Sequence, residues 1–187
     1  MQDISEDLLR AAAQGDRRAF EEIYRSFSGF VFAVALRMMR SRPDAEEITQ
    51  DVFIKVYKNI GRFEVRASFK TWIYRITVNA VLDACKKGSR EKRKRTDYET
   101  YEAAGQQEPD APRNLEKEQA EKQAKKLLSQ INPDQRICLV LREIQELSYE
   151  EIAKALNVNI NTVRTRIKRG RDALMVLARK EKVADGV

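Results

Sequence analysis

The sequence contains no histidine at all, which removes the side chain that titrates near neutrality, the usual general base and the commonest metal ligand. Its two cysteines, Cys85 and Cys138, stand far apart in separate helical patterns. No structural disulfide or thiolate metal cage is expected from them, and each reads as a small buried hydrophobe. The longest apolar run, Phe30 to Leu36, falls well short of the roughly 20 residues that cross a bilayer. Met1-Gln2-Asp3 opens the chain without the basic start or apolar core of a signal peptide. No membrane insertion and a cytoplasmic location are therefore expected. No stretch alternates in the strand period either, so the chain reads as all-α. Without a base to activate a nucleophile, intrinsic catalysis is not expected, and neither a cofactor nor a metal.

What is present is positive charge. Thirty-six Lys and Arg face 29 Asp and Glu, a formal net charge of +7, and the pI is about 9.4. Such a balance attracts phosphate backbones with a salt-sensitive, sequence-independent affinity. A length of 187 residues holds one large or two small domains.

The most specific local pattern is SYEEIAKALNVNINTVRTRIKRGRDAL, Ser148 to Leu174. Ser148 followed three residues later by Glu151 is a capping box, and Ile152, Ala153 and Leu156 give the helix it opens one apolar side. Asn157-Val158-Asn159 forces a turn. In the next helix Val163, Ile167, Gly170 and Leu174 share an inward stripe, while Asn161, Arg164, Thr165, Lys168 and Arg169 point outward. Shape and charge together fit a helix-turn-helix whose second helix enters a major groove.

Periodicity elsewhere predicts a helix from Ser5 to Gln14, a long helix capped by Asp16 and running to Met39, and a third from Asp44 to about Ile60. The loop GRFEVRA and a fourth helix from Ser68 to about Lys87 follow. A basic run from Lys86 to Arg95 then gives way to acidic, proline-containing polar sequence with few large apolar residues, the composition of a flexible linker. Order resumes at Leu115 with a helix presenting Leu115, Leu127, Leu128 and Ile131. Asn132-Pro133 starts another, with Ile137, Val140, Leu141 and Ile144 inward. The expected organisation is two small helical bundles, 1–95 and 115–187, joined by a flexible linker at 96–114.

In the first bundle, DAEEITQDVFIKVYKNIGRF followed by SFKTWIYRITVNAVLDACKK resembles regions 2.2 and 2.3 of the extracytoplasmic-function sigma factors, group 4 of the sigma-70 family. The second bundle is similar to their region 4, and the resemblance covers nearly the whole chain in family order. It implies a dissociable subunit of RNA polymerase that reads a minus 35 element with the second domain and opens DNA at the minus 10 element with the first. The implied partners are core RNA polymerase, through its β′ clamp coiled coil and β flap, promoter DNA, and an anti-sigma factor.

On the third helix Ala45, Ile48, Val52, Phe53, Val56 and Ile60 face the bundle core, and Ile54 sits at the centre of the opposite, polar face. An apolar centre with a polar rim is how small protein interfaces are built. By resemblance Asp44, Glu47, Gln50, Asp51, Ile54 and Lys58 meet the polymerase. On the fourth helix Phe69, Ile73, Ile76 and Ala80 form the buried stripe. Trp72, Arg75, Asn79 and Lys86 line an adjoining face able to stack an unpaired base, bond its edge and hold its phosphate. The resemblance adds Phe63, Arg66 and Ser68 of the loop to that minus 10 set. Family loops often carry a glycine after the aromatic residue, whereas here Phe63 is followed by Glu64, Val65, Arg66 and Ala67, which changes the size and charge of whatever the loop clasps. Matching the region 4 motif assigns Arg164, Thr165, Lys168 and Arg169 to the minus 35 element; Asn161 and Thr162 at the start of the helix join that set, and Arg171, which with Arg166 lies nearer the edge of the face, is expected on the DNA backbone. The rival readings are a stand-alone helix-turn-helix regulator, a DNA-cleaving or DNA-rejoining enzyme and a general basic RNA-binding protein. The first lacks a dimer seam or sensor domain, and the second lacks an activating base.

Overall fold

The first helix of the computed structural model, expected from Ser5, has Ser5 as its cap, the hydroxyl accepting a hydrogen bond from the Leu8 N–H at 3.3 Å. The structure describes residues 4–39, 41–63, 68–95 and 115–184, with backbone alone at 89–90, 91–95, 115–122 and 182–184. The expected linker at 96–114 and loop residue Arg66 lie outside the described residues.

Helix α1 (Glu6–Ala13) ends before Gly15, whose φ of 93° is open to glycine without strain. Asp16 then accepts from the N–H groups of Arg18 and Ala19 to start α2 (Arg17–Met38). Helix α3 (Arg42–Asn59) is capped by Ser41 and begins two residues before the expected Asp44. Pro43 does not delay it, because a missing N–H costs nothing in the first helical turn. A short 3₁₀ turn, Ile60–Arg62, leads toward α4 (Phe69–Arg95). That helix continues past the expected Lys87 through the basic run: Lys, Arg and Glu are good helix formers, and a change in charge does not by itself end a helix.

These helices enclose Ile23, Phe27, Val31, Val34 and Met38 of α2, Val52 and Val56 of α3, and Ile73, Val78 and Val81 of α4, all shut off from solvent. Phe30 stacks on Tyr74 with centroids 3.8 Å apart, and Phe27 meets Phe69 edge-on at 5.6 Å. The buried hydroxyls of Thr49 and Thr77 donate to the carbonyls of Ala45 and Ile73, so neither is left unsatisfied.

The second bundle comprises α5 (Leu115–Gln130), α6 (Pro133–Leu139), a π-helical turn (Val140–Ile144), α7 (Tyr149–Leu156) and α8 (Ile160–Ala184). Asn132 caps α6 by accepting from the Asp134 N–H. Ile137, Val140 and Leu141 are buried as expected, but Ile144 is 39% exposed. The π turn carries an extra residue, shifting the phase of the helix, and Leu147 takes the inward place instead.

Gly170 allows a close approach of α8 to α6: a Cβ there would lie 2.9 Å from Leu139 Cδ1, 3.3 Å from Leu139 Cγ and 3.4 Å from Gln135 Cβ. Gly170→Leu is expected to overpack the α6–α8 contact and destabilise the fold by about 1–3 kcal/mol. Chemical denaturation would read it as a lower midpoint, and an unchanged or raised midpoint would refute the tight crossing. The two bundles also touch each other directly, α4 against α7 and α2 against α6.

Candidate functional site

The capping box forms in full: Ser148 Oγ accepts from the Glu151 N–H at 3.1 Å, and the Glu151 carboxylate accepts from the Ser148 N–H at 2.9 Å. Asn157 closes α7 in the left-handed region, φ 53° and ψ 47°, which asparagine tolerates. Two residues on, Asn159 Oδ1 accepts from the Asn161 N–H at 2.8 Å, so α8 starts after a three-residue turn.

Along α8, Val163, Ile167 and Gly170 are buried and Leu174 half-buried, while Asn161, Arg164, Thr165, Lys168, Arg169 and Arg171 are exposed and Thr162 half-exposed. Arg164 donates to Asn161 Oδ1 at 3.0 Å, and the Thr165 hydroxyl donates to the Asn161 carbonyl at 2.8 Å. The first turn of the outward face is thus ordered before any ligand arrives. Arg171 is paired with Glu143, and Arg166 with Asp134 at 3.3 Å.

The Glu151 carboxyl is held below the usual carboxylate range, first by its hydrogen bond from the Ser148 backbone, which outweighs the opposing effect of burial, and then by Lys70 and the Ser148 hydroxyl. A depressed folded-state pKa gives stability that is present above the unfolded value, about 4.3, and is lost as pH falls through the folded one. Glu151→Gln keeps a capping amide but cannot titrate. Between pH 7 and pH 3 it is expected to lose less stability than the parent chain, as unfolding curves at the two pH values would show; equal losses would refute the assignment.

On α4, Phe69, Ile73 and Ala80 are buried and Ile76 half-buried, and Tyr74, Thr77, Val78 and Val81 broaden that stripe. Trp72 is half-buried, in contact with Phe63 and Phe69 at centroid distances of 5.3 and 5.4 Å. One part of the indole packs and the rest reaches solvent. Ser68, Asn79 and Lys86 are exposed, the last 3.9 Å from Asp83. Arg75 is exposed as well, yet its guanidinium donates to the Lys154 carbonyl of α7 at 3.2 Å.

On α3, Asp44, Glu47, Gln50, Asp51 and Lys58 are exposed around Ile54, which is 50% exposed. The sequence reading missed two neighbours. Tyr57, one turn further along the same face, is 54% exposed with its ring edge-on to Phe20, and Tyr24 of α2 is 44% exposed against Phe53. The i to i+3 spacing of Ile54 and Tyr57 was the available signal. Cys85 is half-buried and Cys138 buried. Burial pushes the Cys138 thiol up to about 11 despite the nearby Arg166, so it stays protonated.

Among the described residues no helix is long and apolar enough to cross a membrane. Family models match at two places: Sigma-70 region 2 over residues 23–91 and Sigma-70 region 4 over residues 121–174. The chain is 34% identical over 176 residues to the ECF RNA polymerase sigma factor SigW of Bacillus subtilis, covering 89% of this chain and 92% of that protein. It is 31% identical over 173 residues to the ECF RNA polymerase sigma-E factor of Escherichia coli K12, covering 89% and 90%. Two solved structures share the fold. CnrH in complex with the cytosolic domain of CnrY has a TM-score of 0.66 at 21% identity, over 93% of this chain and 96% of that one. RpoE in complex with the anti-sigma factor NepR from Bartonella quintana has a TM-score of 0.65 at 23% identity, over 86% and 96%.

Proposed function

We propose a division of labour among the helices of this chain, which belongs to the extracytoplasmic-function RNA polymerase sigma factors of the sigma-70 family. As a member it binds core RNA polymerase and directs initiation at promoters, reading minus 35 and minus 10 elements and melting the DNA at the minus 10 element.

The residue assignments are our reading. The exposed face of α3 around Ile54, with Asp44, Glu47, Gln50, Asp51 and Lys58 at its rim, takes the β′ clamp coiled coil, and the second bundle takes the β flap. Phe63, Arg66, Ser68, Trp72, Arg75, Asn79 and Lys86 capture the minus 10 strand: Trp72 supplies a stacking surface, Asn79 an amide for a base edge and the cations hold phosphate. A trap of this kind offsets the few kcal/mol lost when a base leaves the stack. Asn161, Thr162, Arg164, Thr165, Lys168 and Arg169 read the minus 35 element, and Arg171 holds its backbone. The observation that carries this reading is the ordered, exposed donor set at the start of α8, set on a buried apolar stripe after a three-residue turn.

In this reading the functional boundaries are 1–95 and 115–187, the polymerase performs the synthesis, and the chain works in the cytoplasm, where that polymerase is. An anti-sigma partner, as named for the Bartonella quintana structure, would cover the exposed α3 and α8 faces. Selection of bound promoter DNA with core polymerase plus this protein tests the assignment. Enriched sequences are expected to carry two spaced elements and to initiate transcription only when both proteins are present; enrichment by the chain alone would favour a stand-alone helix-turn-helix regulator.

A further inference from the structure

We propose that the surface docking on polymerase is not confined to α3 but straddles the seam between α2 and α3, with the rings of Tyr24 and Tyr57 as its second anchor. The proposal rests on the assignment of the α3 face around Ile54 to the β′ clamp coiled coil.

In the first bundle the large apolar side chains exposed among the described residues are Tyr24, Ile54 and Tyr57, at 44, 50 and 54%. Single apolar residues scattered over a surface are ordinary, but these three fall on one pair of packed helices. Phe20 and Tyr24 lie one turn apart on α2, Phe53 and Tyr57 one turn apart on α3, and the four rings pair across the seam. Phe20 meets Tyr57 edge-on at 5.0 Å, and Tyr24 meets Phe53 at 4.5 Å with an interplanar angle of 56°. Each pair joins an exposed ring to a deeper one, since Phe20 is half-buried and Phe53 buried. Both tyrosines are thus backed by a phenylalanine of the opposite helix and open to solvent on the other side. A ring held in this way forgoes little rotamer freedom when a partner covers it, having only two χ angles to fix.

The helical register keeps charge off the seam. On α3, Tyr57 and Gln50 fall on the side of Ile54 toward Phe53 and α2, whereas Glu47, Asp51 and Lys58 fall on the other. On α2, Glu21 and Arg25 lie on the side of Tyr24 away from the buried Ile23 and Phe27, and they neutralise each other as an ion pair at 2.6 Å. An apolar strip from Ile54 through Tyr57 to Tyr24 is therefore bordered by charge on both helices, the pattern of an apolar centre within a polar rim. The strip follows the groove between two packed helices, a shape that takes a third helix. A coiled coil presents such a helix. Continuity with the α3 face selects the β′ clamp as the occupant, because Tyr57 stands one turn from Ile54 on the side where the groove opens. Apolar side chains of the clamp seat between the two tyrosines while its flank meets the α3 rim.

The test titrates labelled core polymerase with the full chain and with Tyr24→Ala, Tyr57→Ala, Tyr24→Phe and Tyr57→Phe. Each alanine variant is expected to bind at least about fivefold more weakly. Each phenylalanine variant is expected to bind like the parent, because the ring and not the hydroxyl carries the contact. A phenylalanine variant as weak as its alanine counterpart overturns the assignment. Ile54→Glu, run alongside, separates this proposal from the reading it rests on. If it weakens binding while Tyr24→Ala does not, the α3 face stands and its extension onto α2 fails; if neither weakens binding, the α3 assignment fails and the extension with it. Since both tyrosines also pack within the bundle, a second measurement uses the unmutated chain. Hydroxyl-radical labelling of its side chains, read by mass spectrometry, is expected to mark both rings in the free protein and to spare them in the complex with core polymerase. Labelling of Tyr24 that core polymerase leaves unchanged overturns the proposal, and any weakness of the alanine variants is then an effect on folding.

Discussion

Replacing Ile54 with glutamate is expected to weaken association with core polymerase by about 2–4 kcal/mol, some 30- to 1,000-fold, the range for a residue at the centre of an interface. Ile54 is half exposed at the middle of the α3 face, with Gln50, Asp51 and Lys58 within one helical turn and the exposed Tyr57 beside it. A carboxylate placed there has to be stripped of water against the partner with no cation provided for it, which costs more than loss of the side chain alone. The fold does not depend on Ile54, because the same helix is anchored by Val52, Phe53 and Val56 on its other side. Thermal unfolding and affinity for a minus 35 duplex are accordingly expected to stay within about 0.5 kcal/mol of the parent. Titrating labelled core enzyme with each protein makes the comparison. Core affinity equal to the parent's would remove α3 from the interface.

The predicted helices were legible where a side chain caps its own backbone. Asp16, Asn132 and Ser148 each announce a helix that the structure then starts at the next residue. The outward set on α8 was legible for a related reason: on a regular helix anchored by Val163, Ile167 and Gly170, spacing alone fixes which neighbours face solvent. Periodicity failed where the helix itself departs from 3.6 residues per turn. The π turn at Val140–Ile144 sends Ile144 outward, and nothing in VLREI announces it. Sequence polarity gives no sign of the buried Arg136, whose guanidinium donates to the Met38 carbonyl, 98 residues away. The contacts between the two bundles were hidden for the same reason, since Lys70–Glu151 and Arg75–Lys154 join positions with no shared local pattern.

The largest effect on DNA selectivity is expected from Arg164→Ala together with Lys168→Ala. Each bidentate pair with a guanine edge is worth about 1–3 kcal/mol, so losing both costs about 2–6 kcal/mol of discrimination between a selected minus 35 site and its mutated versions. Both side chains are exposed one turn apart on α8, and Arg164 is already oriented by Asn161 Oδ1 at 3.0 Å. An aligned donor forgoes less rotamer entropy on meeting a base than a free one does. Arg171 provides the contrast. Its guanidinium faces Glu143, and a contact to phosphate there exchanges one anion for another without reading a base. Arg171→Ala is therefore expected to weaken all sequences alike and to lower the slope of log affinity against log salt by about 0.9. Fluorescence anisotropy with a panel of singly mutated minus 35 duplexes at several salt concentrations separates the two behaviours. If the double variant lost affinity evenly across the panel while its salt slope fell, Arg164 and Lys168 would be phosphate contacts, and base reading would have to pass to Asn161, Thr162 and Thr165 at the start of the helix.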